Sequence, residues 1–322
     1  MRKQLLILAA ACVAVTAMGA NPVQGRLENV KRLTSQTDLK FENPQFSPDG
    51  KQIAFTKLGY EGIYVMDADG ANTRSISNAM GVGYMYQWSP DSRQILALEA
   101  SSDRTKTLAP TLHAVVTLDV ADGTRVQVTE PAPEVRPAAW RISGNKYCAA
   151  TTDRGLVAIP GAKTLPVKAQ SLDKANLGAL NTSFVTDLDH LYAIDANGNK
   201  AIIYDGPAFL PKLSPNGKQV AFCDTEDNIR VMNIDGTGVK TIGKGFAPSW
   251  VNDTQLVFER TTDDGHTYQS GELYLGDVNG TTPVALTNTS RSIEMNASVS
   301  PDGKKIVYTD YNDGQVYVAD LK

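Results

Sequence analysis

Apolar and polar residues alternate along this chain in short runs, and turn-forming residues cut the runs at close intervals. The segment 43–55, NPQFSPDGKQIAF, shows the arrangement: a mixed run, the phrase SPDGK, then a second apolar run. Alternation with a period near two gives one face to a core and the other to solvent, so each run reads as a strand. Helical periodicity is nearly absent; only SLDKANLGAL from Ser171 predicts a short helical turn.

The pattern repeats. MYQWSPDSRQILAL from Met85, LPKLSPNGKQVAF from Leu210 and NASVSPDGKKIVY from Asn296 restate the first phrase, with degraded copies from Ala138 and Ala247. A second phrase follows at a distance: IYVMDADG at Ile63, VVTLDVADG at Val115, LYAIDANG at Leu191, IRVMNIDG at Ile229 and LYLGDVNG at Leu273. Its Asp, Asn and Gly residues suit tight hairpins that need positive φ. One unit is therefore strand, SPDGK turn, strand, variable loop, strand, DxxG turn, strand, a four-stranded antiparallel meander of roughly 40 residues, as in a β-propeller blade.

The residue before each first turn marks the blades: Phe46, Trp88, Trp140, Leu213, Trp250 and Val299. The gap from Trp140 to Leu213 has room for two units, and LYAIDANGNKAIIY lies inside it. The count is then seven, or six if the degenerate region 161–205 belongs to one distorted blade. The last unit has three strands, and RLENVKRLTS near the N-terminus resembles a fourth. The fold class expected is all-β, a seven-bladed propeller of four-stranded antiparallel blades whose N-terminal strand closes the ring on the last blade.

The phrase x-P-x-aromatic-S-P-D-G-K followed by an apolar strand resembles the repeat of TolB-like, PD40-type (WD40-like) propellers, also found beside the catalytic domains of prolyl oligopeptidase-type enzymes. The resemblance covers residues 21–322, read as one propeller domain. It implies a fold rather than a function, because such propellers serve as partner docks, as lids on hydrolases and as lyases.

Composition narrows the classes. A chain of 322 residues with a net charge of −4 offers no basic footprint for nucleic acid or anionic membrane. Residues 1–20 have the layout of a secretory signal: Arg2 and Lys3, an apolar run, and small residues at Ala17 and Gly19. Cleavage near Gly19 or Ala20 is preferred over lipidation of Cys12, and the expected location is periplasmic or secreted. No later run is long enough for a membrane helix. Cys148 and Cys223 read as buried free thiols rather than a bridge.

SPDGK reads as a corner, because Pro48 presets φ, Asp49 bonds nearby N–H groups and Gly50 accepts positive φ. The DxxG phrases begin like a calcium loop but lack its later Glu. His113, His190 and His266 fall in three different units, so no shared metal or other cofactor is expected. Neither a nucleophile elbow nor a phosphate-binding glycine motif is present.

Candidate chemistry gathers instead where the repeat varies. Residues 99–113 and 259–272 read as long loops between second and third strands, on the face shared with the connections between blades. Those segments supply the candidate binding residues Tyr84, Tyr86, His113, Arg136, His266, Tyr268, Arg291 and Glu294; Tyr86 reads equally well as packing between blades. The function expected is a monomeric, exported, noncatalytic propeller that docks a protein, peptide or glycan partner in the cell envelope. The alternative is a carbohydrate-active enzyme resembling oligogalacturonate lyases.

Overall fold

The computed structural model describes residues 26–102, 110–133, 135, 137–140, 147–152, 155–159, 165–166, 182–186, 189–194, 199–280 and 282–322. Strand β1 (Leu27–Arg32) stands alone at the start. The first sheet is β2 (Phe41–Phe46), β3 (Gln52–Lys57), β4 (Glu61–Asp67) and β5 (Arg74–Ser77). The second is β6 (Gln87–Trp88), β7 (Gln94–Ser101), β8 (Leu112–Asp119) and β9 (Arg125–Gln127). The third is β10 (Ala139–Trp140), β11 (Tyr147–Thr152), β12 (Gly155–Ile159) and β13 (Leu165–Pro166). The fourth has three strands among the described residues, β14 (Ser183–Thr186), β15 (His190–Ile194) and β16 (Lys200–Asp205).

The fifth sheet is β17 (Phe209–Leu213), β18 (Gln219–Cys223), β19 (Asn228–Asn233) and β20 (Lys240–Lys244). The sixth is β21 (Phe246–Trp250), β22 (Gln255–Asp263), β23 (Tyr268–Asp277) and β24 (Val284–Ala285). The last is β25 (Glu294–Val299), β26 (Lys305–Asp310) and β27 (Gln315–Leu321), completed by β1.

The chain is thus all-β, with six four-stranded antiparallel blades in a propeller ring. This corrects the expectation of seven four-stranded blades. LYAIDANGNKAIIY does form the hairpin β15–β16, but the sheet it joins has three strands among the described residues. That region lacks an SPDGK phrase to register a further hairpin. The helical turn expected from Ser171 lies outside the described residues.

The repeated corner has one geometry wherever its phrase is intact. Ser47 Oγ donates to Asp49 Oδ1 at 2.7 Å, accepts from Gln52 N at 3.0 Å, and Asp49 Oδ1 accepts from Lys51 N at 3.1 Å. The same three bonds recur at Ser89–Asp91, Ser214–Asn216 and Ser300–Asp302. These serines are buried, so each hydroxyl satisfies a backbone N–H that water reaches poorly. The corners also touch across sheets: Ser92 Oγ lies 3.1 Å from Asp49 N, and Asp253 Oδ1 2.8 Å from Asn216 N.

Neighbouring inner strands are tied by the aromatic that precedes the corner. Trp88 Nε1 donates to Gln45 O at 3.2 Å and Trp250 Nε1 to Lys212 O at 2.9 Å. Three residues before that position, five of the sheets carry a left-handed residue: Asn43, Met85, Leu210, Ala247 and Asn296, with φ between 50° and 55°. At Asn43, Leu210, Ala247 and Asn296 the ladder register shifts, so these are bulges that bend the strand and re-aim the residue ahead of them. Apolar clusters fill the spaces between sheets, with Phe55, Phe222 and Phe258 fully buried.

Ring closure is extensive. β1 pairs antiparallel with β27, Leu33 N donates to Val316 O at 2.7 Å, and Phe41 N donates to Gly314 O at 2.7 Å. Leu27 and Leu33 pack on either side of the last sheet. Cys223 is a buried free thiol, pushed up to about 12 by burial, and hence unreactive. The Cys148 side chain lies outside the described residues. Ser47→Ala is expected to cost about 1–3 kcal/mol by stranding the buried Gln52 N–H. Chemical denaturation checks this, and a loss within error of zero would contradict the corner's structural role.

Candidate functional site

In this topology the corner phrases lie at one end of the ring, and the β3–β4, β22–β23 and β26–β27 turns lie at the other, together with the connections between blades. The second end carries the unusual chemistry. The expected loop at 259–272 is an ordered ribbon: β22 and β23 pair from Gln255↔Asp277 out to Asp263↔Tyr268. This correction has a local cause, since Thr261, Thr262, Thr267 and Tyr268 are strand-favouring residues that suit a two-stranded extension. Its tip is a turn in which Asp264 Oδ1 accepts from His266 N at 2.9 Å and Thr267 N at 2.8 Å. The expected loop at 99–113 is shortened in the same way, because β7 and β8 pair out to Ser101↔Leu112; residues 103–109 lie outside the described set.

Four tyrosines converge at this end. Tyr60 on the β3–β4 turn meets Tyr84 edge-on at 5.3 Å, and Tyr268 at the ribbon tip meets Tyr311 of the β26–β27 turn edge-on at 5.2 Å. Tyr60, Tyr84 and Tyr268 are 39%, 43% and 37% exposed. Gly83 sets the close approach of the Tyr84 segment: a Cβ there would sit 2.1 Å from Thr56 Oγ1, and Gly83 N donates to Tyr60 O at 3.1 Å.

Beneath them lie two carboxylates. Glu42 Oε1 accepts from Gly59 N at 2.8 Å and Tyr60 N at 3.0 Å, which fixes the turn bearing Tyr60. Burial still holds its carboxyl above the ordinary range, against those two bonds. Glu259, only 3% exposed, accepts from Asn296 N through Oε2. Strand alternation turns Glu259 away from Arg260, whose guanidinium lies 4.0 Å from the Tyr274 ring centroid. Burial pushes Glu259 up to about 7, opposed only by the Asn296 bond. The phenols of Tyr60 and Tyr268 are raised by burial first, then by the charges of Glu42 and Glu259 among others. Asn296 links the two acids: its N–H donates to Glu259, and its Oδ1 lies 3.4 Å from the N of Asn43, the residue after Glu42.

A second acidic pair lies deeper, in the sixth and last sheets. Thr289 N donates to Glu272 Oε1 at 2.9 Å and Thr289 Oγ1 to Glu294 Oε1 at 2.7 Å, while the other oxygen of each glutamate is buried without a partner. Burial, then the charges of Glu272 and Asp310, push Glu294 up to about 7 despite the Thr289 bond.

The sequence candidates therefore divide. Tyr84 and Tyr268 belong to the tyrosine basin. Tyr86 is 1% exposed, with its hydroxyl 2.6 Å from Asn43 O and 2.8 Å from Ala54 O, so it packs between blades. Glu294 is buried rather than presented on the loop face. His113 stands half-buried in the second sheet, its Nδ1 buried without a partner. His266 is exposed at the ribbon tip, and Arg291 is exposed with its carbonyl accepting from Asn312 Nδ2 at 2.8 Å. Arg136 lies outside the described residues.

Sequence reading missed Tyr60, Tyr311, Glu42 and Glu259. A signal existed: KLGYEG and TDYNDG each put Tyr in the turn after the second strand, and QLVFER places an acid within an apolar strand. Among the described residues the three histidines sit in different sheets, and no three His, Cys, Asp or Glu side chains gather to hold a metal ion. Nor is any described helix long and apolar enough to cross a membrane.

Known proteins were compared with this chain. No family model matches it. A TolB homolog from Chlorobium luteolum is 30% identical over 126 residues, which are 35% of this chain and 27% of that protein. The chain thus matches about a quarter of its curated relative's length. Over that stretch the repeat is TolB-like.

Two solved structures share the propeller fold across most of the chain. Oligogalacturonate lyase from Vibrio parahaemolyticus superposes with a TM-score of 0.62 at 12% identity, covering 91% of this chain and 93% of the lyase. The Cps50 (Swd1) β-propeller domain of Myceliophteria thermophila gives 0.61 at 15% identity, covering 91% and 100%.

The raised Glu259 sets a pH dependence. Unfolded, Glu259 ionises near its ordinary value of 4.5; folded, it keeps its proton to about 7. The native state binds more protons in between, so its stability is fully present below pH 4.5 and falls as pH rises to 7. Glu259 alone should contribute on the order of 3 kcal/mol to that fall. Glu259→Gln should remove its share in denaturation curves taken across this window; an unchanged slope would contradict the assignment.

Proposed function

We propose that this chain is an exported, noncatalytic propeller whose tyrosine-lined end docks a protein, peptide or glycan partner in the cell envelope. The observation that carries this reading is the basin itself. Three part-exposed tyrosines and a fourth meet in pairs over carboxylates, on turns anchored by backbone hydrogen bonds. Large amphipathic rings on a preformed surface bury much area at little entropic cost, which is why Tyr is enriched where proteins meet partners. The TolB-like repeat is consistent with a protein partner. Residues 1–20 act in this reading as an export signal, and residues 21–322 as one propeller that works as a monomer.

The lyase reading has less support. It would need clustered histidines and a uronate-binding arginine, whereas His113, His190 and His266 stand apart in three sheets. His190 is engaged locally, with Nε2 3.4 Å from Asp205 and Nδ1 3.2 Å from the Tyr192 hydroxyl. Likeness to the lyase at 12% identity concerns the fold.

Site-specific photo-crosslinking tests the docking face. A photoreactive phenylalanine analogue at Tyr84 or Tyr268 should trap one discrete partner in cell envelopes, identified by mass spectrometry. The same probe at exposed Lys51, at the other end of the ring, should trap none. Equal labelling from both ends, or labelling from Lys51 alone, would refute the placement.

A further inference from the structure

The basin's chemistry narrows what it accepts. Glu42 holds the turn of Tyr60, which meets Tyr84, and Glu259 is tied to the same end through Asn296 and Asn43, beside the Tyr268–Tyr311 pair; among the described residues neither glutamate has a Lys or Arg partner in an ion pair. Glu259 is almost fully buried, yet its hydrogen bonding is a single backbone N–H to Oε2. A buried carboxyl normally finds either a countercharge or several donors. For Glu259 the described residues supply one backbone donor and no countercharge.

The rings around it add a second preference. Tyrosine faces attract cations through their quadrupole, and the chain already uses this nearby. Lys40 Nζ lies 5.6 Å from the Tyr311 ring centroid, while its ammonium is held by the carbonyls of Tyr311 and Asn312 at 3.4 and 3.3 Å rather than by a carboxylate. Rings for the flanks of a cation, on turns and connections, and carboxylates for its charge, on strands β2 and β22, occur together at this end.

We propose that the basin is a receptor for a cationic side chain of the docked partner, a lysine ammonium or arginine guanidinium, seated among the tyrosines with Glu259 and Glu42 beneath it. This rests on the docking reading and specifies its anchor. An entering cation gives Glu259 the partner the fold withholds and replaces the lost hydration of both groups. A neutral or anionic group of the same size gains only ring contact, so charge is the feature selected. The ionisable groups facing the site are Glu42, Glu259, Asp263, Lys40 and the four phenols. Burial holds Glu259 up to about 7, so affinity for a cation should rise between pH 5.5 and pH 8 as Glu259 ionises.

The test uses the full chain and N-acetyl-lysine amide and N-acetyl-arginine amide as probes, with N-acetyl-norleucine amide as the neutral control. Saturation-transfer NMR and tyrosine fluorescence report binding at pH 8 and pH 5.5. At pH 8 both cationic amides should bind at least tenfold more tightly than the norleucine amide. Glu259→Gln should remove that preference with its melting temperature unchanged at pH 4, where the wild-type carboxyl is protonated in the folded state and largely so in the unfolded one. Tyr268→Ala should weaken all three probes. Equal binding of cationic and neutral amides, or a preference that survives Glu259→Gln, overturns the proposal. If crosslinking at Tyr268 still traps its partner in the Glu259→Gln background at undiminished yield, docking stands and the cationic anchor falls.

Discussion

Everything at the tyrosine end depends on one pairing, that of β1 with β27. A sheet that opens leaves a row of unpaired backbone groups, and a ring of sheets has such a seam once, where its first and last segments meet. Here the N-terminal segment runs along the last strand from Arg26 N and Lys322 O past Leu33 and Val316 to Phe41 and Gly314. Gln315 Nε2 adds bonds to Gln36 O at 2.8 Å and Leu39 O at 3.0 Å, and Val316 N donates to Thr34 Oγ1 at 2.9 Å. Each bond is worth about 1 kcal/mol net, so the seam as a whole holds several kcal/mol of closure.

The candidate site lies across that seam. Tyr60, Tyr84 and Glu42 come from the first sheet and the connection leaving it, whereas Tyr268 and Glu259 come from the sixth and Tyr311 from the last. Asn296 joins the halves, with its N–H on Glu259 and its Oδ1 3.4 Å from Asn43 N. Asn43 in turn reaches Gly83 O through Nδ2 at 3.0 Å. Closure therefore builds the basin as well as the fold, and residues more than 200 positions apart in sequence become its walls.

The repeat itself was legible because it is written in turn chemistry. Ser47, Asp49 and Gly50 are a local device whose geometry depends on neighbours within five residues, so four sheets could be read directly, and the closing strand followed from a missing fourth strand. The three-stranded fourth sheet was harder to read, since no corner phrase marks where it starts. Two of the inner-strand bulges were invisible: Leu210 and Ala247 are poor left-handed residues, held there by tertiary packing rather than by preference. The same limit applies to the site. Tyr84 and Tyr268 stood out on variable segments, but Glu42 and Glu259 are single acids in apolar strands, and their meaning appears only when distant sheets meet. Tyr86 differs from Tyr84 by two positions, but a turn through the left-handed Met85 lies between them, and it leaves one ring buried between blades and the other exposed.

The central claim is that seam closure organises the basin. Hydrogen exchange with mass spectrometry on the intact chain and on a chain lacking Leu27–Arg32 tests it directly. The account predicts that the deletion speeds exchange at the turns bearing Tyr60, Tyr268 and Tyr311 as well as along β27, while the β18–β19 hairpin of the fifth sheet keeps its protection. Loss of protection confined to β27, with the three tyrosine turns unchanged, would contradict it.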